Sequence, residues 1–132
     1  MAGIVKVFTE EAPAPLGHYS QAAKGGGLIT ISGQLPIPKS GVPDNQSASF
    51  DVQAKLVLAN FLAIVHAAGA RTEDVIKVTA YVVGAENWRA FNQYFAEAFG
   101  DHRPARSVVP VPELHHGYLI EVDGVALDVG AK

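Results

Sequence analysis

The residues from Val75 to Val83 alternate so regularly that they dictate a layer. Ile76, Val78, Ala80 and Val82 fall on one side of an extended chain, and Lys77, Thr79 and Tyr81 fall on the other. That is the pattern of a strand buried on one face only, so the chain has to supply an apolar layer to cover it. The preceding segment does so. Ser47 or Ser49 can cap a helix that begins near Phe50, with Asp51 in its electropositive first turn, and Gly69 supplies a stop. On a helical wheel Val57, Leu58, Phe61, Ile64 and Val65 share one broad face, with Ala54 and Ala68 at its ends. Lys55 and His66 lie off that face, and Gln53 and Asn60 lie opposite that pair. Val52, Leu56, Ala59 and Ala63 make a second apolar strip, which predicts burial on more than one side.

The remaining elements follow from the same two periods. Ile4 to Phe8 reads as a short strand. Gly25-Gly26-Gly27 separates Gln21–Lys24 from Leu28–Ser32 and predicts a β-hairpin. These glycines do not fit a phosphate loop, because no G-x-x-x-x-G-K-[ST] spacing follows. Pro13, Pro15 and Gly17 make an extended, partly rigid segment ahead of Tyr19, and Pro36 to Ser49 is a long loop rich in breakers. Trp88, Phe91, Phe95 and Phe99 recur at helical spacing before Gly100, and their aromatic face reads as core. Arg106–Val111 and Tyr118–Leu127 add two more strands. The order strand, hairpin, helix, strand, helix, strand, strand predicts a single α+β domain over residues 1–132. Its architecture is two layers, a mixed sheet with two helices packed on one face. The face carrying Lys77, Thr79 and Tyr81 is then open to water or to another subunit.

Composition closes off several classes of function. Cys is absent, which excludes disulfides, thiolate metal sites and thiol nucleophiles. A formal net charge of -3 without a basic stripe argues against a nucleic-acid partner. The start, Met1 to Lys6, lacks the apolar run of a signal peptide, and no later segment is read as long and apolar enough to span a bilayer. The expected location is cytoplasmic, with no membrane partner. His102 and the pair His115-His116 show no metal-ligand spacing and read as solvated loop residues, and no G-x-S-x-G elbow is present.

One stretch carries chemistry. Arg106 opens an apolar strand, a connection with Pro110, Pro112 and Gly117 follows, and Glu121 stands between Ile120 and Val122 on the next strand. Two adjacent strands could bring these charges to one end of a sheet. A guanidinium there can hold a small carboxylate through two parallel hydrogen bonds, while a carboxylate orients or deprotonates water. The alternative is an Arg–Glu ion pair that ties two strands together.

The motifs extend beyond this stretch. Pro104-Ala105-Arg106-Ser107 leads through alternating apolar residues to Ile120-Glu121, fifteen residues after the arginine. Upstream stand Ala14-Pro15-Leu16-Gly17-His18-Tyr19-Ser20-Gln21-Ala22 and Ile31-Ser32-Gly33-Gln34-Leu35-Pro36. Between them lie Ala67-Ala68-Gly69 and Asp74-Val75-Ile76-Lys77-Val78-Thr79. In these motifs, in their order and spacing, the chain resembles the Rid family of reactive-intermediate deaminases, the RidA-like or YjgF-type proteins.

That resemblance implies a chorismate-mutase-like fold, a homotrimer whose sheets face a central barrel, and pockets at the subunit interfaces. It implies a carboxylate-binding role for Arg106 and a water-positioning role for Glu121. Tyr19, Ser32, Gly33 and Asn92 would line the substrate pocket, and no metal or cofactor is required. The implied substrate is a small enamine or imine acid of the 2-aminoacrylate type, hydrolysed to a 2-oxo acid and ammonia. A trimeric protein that binds or senses small carboxylates without turnover is the other reading, and a nucleic-acid activity ranks last. The chain departs from the family pattern at His18, where relatives commonly have proline, and at Val108, where many have cysteine. Pro112, Val122 and Asp123 are also unusual at their positions.

Overall fold

In a computed structural model, which describes residues 3–130, the alternating segment is an inner strand of a mixed sheet. Met1 and Ala2, at the start of the segment examined for a leader, lie outside the described residues. The strands are β1 (Val5–Val7), β2 (Ala22–Gly25), β3 (Leu28–Gln34), β4 (Val75–Val83), β5 (Ala105–Val111) and β6 (Ile120–Leu127). They are ordered β1-β2-β3-β6-β4-β5. β4 and β5 run parallel and the other neighbours antiparallel. A parallel pair needs a crossover, and helix α2 (Trp88–Phe99) lies within it. The β2–β3 hairpin turns through Gly26 and Gly27 at φ +61° and +83°. Both central residues of a two-residue hairpin turn of this hand need positive φ, which explains the glycines.

Helix α1 (Phe50–Ala67) is capped by Ser49, whose side chain accepts from the Val52 amide. Its predicted face is buried: Ala54, Val57, Leu58, Phe61, Ile64 and Val65 join Val78, Ala80, Val82, Ile120 and Val122 of the sheet in one apolar cluster. Phe91, Phe95 and Phe99 of α2 complete that cluster. Burying each large apolar side chain contributes roughly 1.5–3 kcal/mol. The two-layer α+β arrangement is therefore the one the periodicities require.

Four details differ from the expectation, each for a local reason. The β4–β6 register shifts between Val75 and Lys77, so Ile76 turns outward at 45% exposure while Val75 enters the core. Trp88 starts α2 on the outside and is 48% exposed. The second strip of α1 is only partly covered, with Val52 53% exposed and Ala59 also exposed while Leu56 and Ala63 are half-buried. Gln53 and Asn60 are buried, because they donate to carbonyls of the long loop. Asn60 Nδ2 donates to Leu35 O at 3.1 Å and to Ile37 O at 3.0 Å. Gln53 donates to Gln46 O and Ala48 O and accepts from the Leu119 amide. The long loop is thus pinned to α1 through side chains.

The membrane expectation also changes at α1. Its 18 residues have a mean hydropathy of 1.3, so by length and composition the helix could cross a bilayer. Half of it is buried against the sheet, and its polar Gln53 and Asn60 are used inside the fold. It reads as a core helix.

Candidate active site

The arginine half of the site rests on α2. Arg106 pairs in register with Val78 and therefore points to the helix side of the sheet. Its guanidinium carbon lies 4.9 Å from the Phe95 ring centroid and 5.8 Å from that of Phe91. Nη1 donates to Asn92 Oδ1 at 3.0 Å. Two aromatic faces and one amide fix the plane of the guanidinium. Among the described residues Arg106 has no carboxylate within ion-pairing distance. Asn92 is thereby joined to Arg106, and the aromatic face of α2 serves both as core and as the bed for the arginine.

The glutamate half is elsewhere. Glu121 pairs in register with Tyr81, on the face away from the helices, where the Tyr81 hydroxyl donates to Asp123 Oδ2 at 3.1 Å. Strand β4 separates β5 from β6. Arg106 and Glu121 are thus neither on adjacent strands nor on the same face, which corrects the expectation that one chain brings them together. The cause is the crossover: β5 enters parallel at the sheet edge, and β6 returns across β4 to pair with β3. The ion-pair alternative fails on the same geometry.

Glu121 lies against Gly33. A Cβ on residue 33 would collide with Glu121 Oε2 and stand 3.2 Å from its Cδ, so only glycine leaves room for the carboxylate. Gly33, Tyr19, His115 and His116 together line a cleft of about 220 Å³. Tyr19 is 51% exposed at its rim. Its segment is held by Gln21, a fully buried side chain that donates to Thr9 O and Pro13 O and accepts from the Thr9 amide. Ser32 donates its hydroxyl to Ser20 O at 2.6 Å, which ties the Tyr19 loop to β3 and leaves the serine oxygen as an acceptor. Partial burial raises the Glu121 pKa, His115 lowers it, and Asp123 raises it again. A carboxylate with its pKa pushed upward is a stronger base once ionised.

The molecule thus carries two candidate halves of a site on opposite faces of one sheet, an anchored guanidinium and a carboxylate packed against Gly33, which itself borders the cleft. A family model described as endoribonuclease L-PSP matches residues 9–128. The chain belongs to this family, the YjgF/RidA family. A RutC family protein of Pyrococcus horikoshii is 43% identical over 121 residues, covering 91% of this chain and 94% of that protein. The 2-iminobutanoate/2-iminopropanoate deaminase of Escherichia coli K12 is 37% identical over 126 residues, covering 92% and 95%. Among solved structures, E. coli TdcF with bound serine is similar at TM-score 0.85 and 30% identity, covering 93% of this chain and 98% of that one.

Within this RidA-family chain, three features of the histidines and Gln21 have no signal in residue spacing. His115 and His116 are exposed, as loop histidines without a ligand spacing should be, and both also border the cleft. Gln21 was passed over although it holds the Tyr19 segment. His102 is not free either: its ring nitrogen lies 2.7 Å from Val75 O.

Proposed function

We propose that this chain is a hydrolytic deaminase of small enamine and imine acids, with each active site completed between two copies in a homotrimer. The observation that carries the reading is the separation of Arg106 and Glu121 on opposite faces of the sheet, each prepared for a ligand that its own copy does not fill. A second copy laid against the open face, where Tyr81 and Asp123 sit, would bring its arginine to the first copy's glutamate. An arginine of one copy meeting a glutamate of the next is a head-to-tail contact, which closes into a ring when the rotation permits.

In this reading Arg106 grips the substrate carboxylate with its remaining N–H groups, and Asn92 and Phe95 hold the fork in plane. Glu121 takes a proton from the attacking water. Tyr19 and Gly33 bound the space in which the C=N group sits. Imines of this type hydrolyse unaided, so positioning and one base are sufficient help. The acidic balance, with no basic stripe, favours this reading over the ribonuclease that the family's description mentions.

The test is 2-oxo acid release from 2-aminoacrylate, generated in place by a pyridoxal-phosphate dehydratase, with wild type beside Arg106→Lys. A lysine supplies charge without the planar fork, so acceleration should fall by at least a hundredfold or so, by the loss of a bidentate positioning contact. Near-wild-type turnover in the lysine variant would reject the role of Arg106. The serine bound in TdcF favours a second reading, capture of a small carboxylate without turnover. Saturable binding of serine with no acceleration by wild type would select it.

A further inference from the structure

The turn Leu114–Tyr118 has an ordered backbone beside the cleft. The Gly117 amide donates to Leu114 O and the Tyr118 amide to His115 O. Behind it Tyr118 is 1% exposed and donates its hydroxyl to Asn45, so the turn is bolted to the long loop. His116 takes up positive φ, +63°, and packs edge-on against Tyr118. The exposed side chain of His115 borders the cleft that Gly33 and Tyr19 also line. The groups around Glu121 are then few. Tyr81 faces it from β4, Asp123 lies further along β6, and β3 offers only the uncharged Gly33. Of the groups that act on the Glu121 carboxyl, burial and Asp123 raise its pKa and only His115 lowers it.

We propose that His115 is the second ionisable group of the active site, an imidazolium that works opposite Glu121 during imine hydrolysis. This rests on the deaminase reading above. In hydration of the imine, water oxygen bonds to carbon, Glu121 takes the water proton, and His115 gives its proton to the substrate nitrogen. When the resulting carbinolamine collapses, the C–N bond breaks. Glu121 then returns its proton to the departing ammonia, and neutral His115 takes the hydroxyl proton as C=O forms. Both groups end as they began, and the sum is imine plus water giving 2-oxo acid plus ammonia.

The experiment is the pH profile of kcat/KM on 2-aminoacrylate for wild type, His115→Asn and His115→Gln. A second readout is the ¹³C titration of the Glu121 carboxyl, assigned with Glu121→Gln. Two neutral amides are used so that misfolding of one leaves the other, and the turn's backbone hydrogen bonds do not involve the ring. Histidine side chains change charge in the range of about pH 5–8, so wild type should be bell-shaped. Both variants should lose the basic limb and about a hundredfold of rate, the usual scale of one acid–base group. Their Glu121 midpoint should also move up, because a nearby cation is gone. An unchanged profile and rate would overturn the proposal. Should wild type itself fail to accelerate hydrolysis, the deaminase reading falls. His115 is then judged by the titration alone, where an unmoved Glu121 midpoint refutes its pairing and an upward shift upholds it.

Discussion

Gly33→Ala isolates the chemistry from the fold. Gly33 does not have a positive φ, so alanine meets no backbone penalty there. The added methyl would stand 3.2 Å from Glu121 Cδ and 3.6 Å from Cγ, and it would collide with Oε2. Ordinary contact therefore returns only when the carboxylate swings away by about 1 Å, the scale of misplacement that costs on the order of a hundredfold in rate. A hundredfold is about 2.7 kcal/mol of transition-state stabilisation. Stability should change little, by under about 1 kcal/mol, because Glu121 is only partly buried and can move toward solvent. Turnover of 2-aminoacrylate and urea unfolding of the same preparation read the two quantities. A folded Gly33→Ala protein with wild-type kcat/KM would refute the placement of the base over Gly33.

Three further substitutions probe the frame. Glu121 is an acid whose pKa is raised in the fold, chiefly by burial, so the native state holds its proton more tightly than the unfolded chain. Stability is accordingly lost as pH rises through the interval between the unfolded and folded values, and it stays lost above. Glu121→Gln should raise Tm at neutral pH, with the gain vanishing below about pH 4, where the unfolded glutamate is also protonated; an equal Tm difference at both pH values would contradict this. Gly124→Ala puts a methyl 2.5 Å from Lys77 O and 2.8 Å from Phe61 Cζ, and should cost about 1–3 kcal/mol in urea unfolding, the penalty of overpacking. Asn60→Ala removes the donor to Ile37 O and leaves Leu35 O with the Ile37 amide alone. It should cost about 1–3 kcal/mol, and hydrogen exchange should quicken along residues 35–48.

The parts of the fold set by burial were open to reading from the residues. Strand β4 and the inner face of α1 follow from apolar period alone, because core contact is what that period records. Gln53 and Asn60 escaped it, since a polar side chain enters a core when unpaired carbonyls lie there, and those belong to a loop without periodicity. Ile76 escaped because one shifted residue at a bulge reverses the side of its neighbour. The site shows the same division. The family motifs bring out Arg106 and Glu121, but their separation depends on strand order, which consecutive strands β5 and β6 do not reveal when β4 lies between them. Tyr19 and Gly33 border one cleft, and His115 reaches it through a turn whose anchor, Tyr118 on Asn45, spans distant parts of the chain.

The claim that the site is shared between copies is tested most directly by mixing two inactive variants, Arg106→Ala and Glu121→Ala, after unfolding and refolding them together. Each homomer should be inactive. In a randomly mixed ring, about a quarter of the interfaces join an intact arginine to an intact glutamate, so about a quarter of wild-type deaminase activity should return. If the co-refolded mixture forms mixed oligomers and yet stays as inactive as its parents, the two residues do not act across an interface, and the proposed site is wrong.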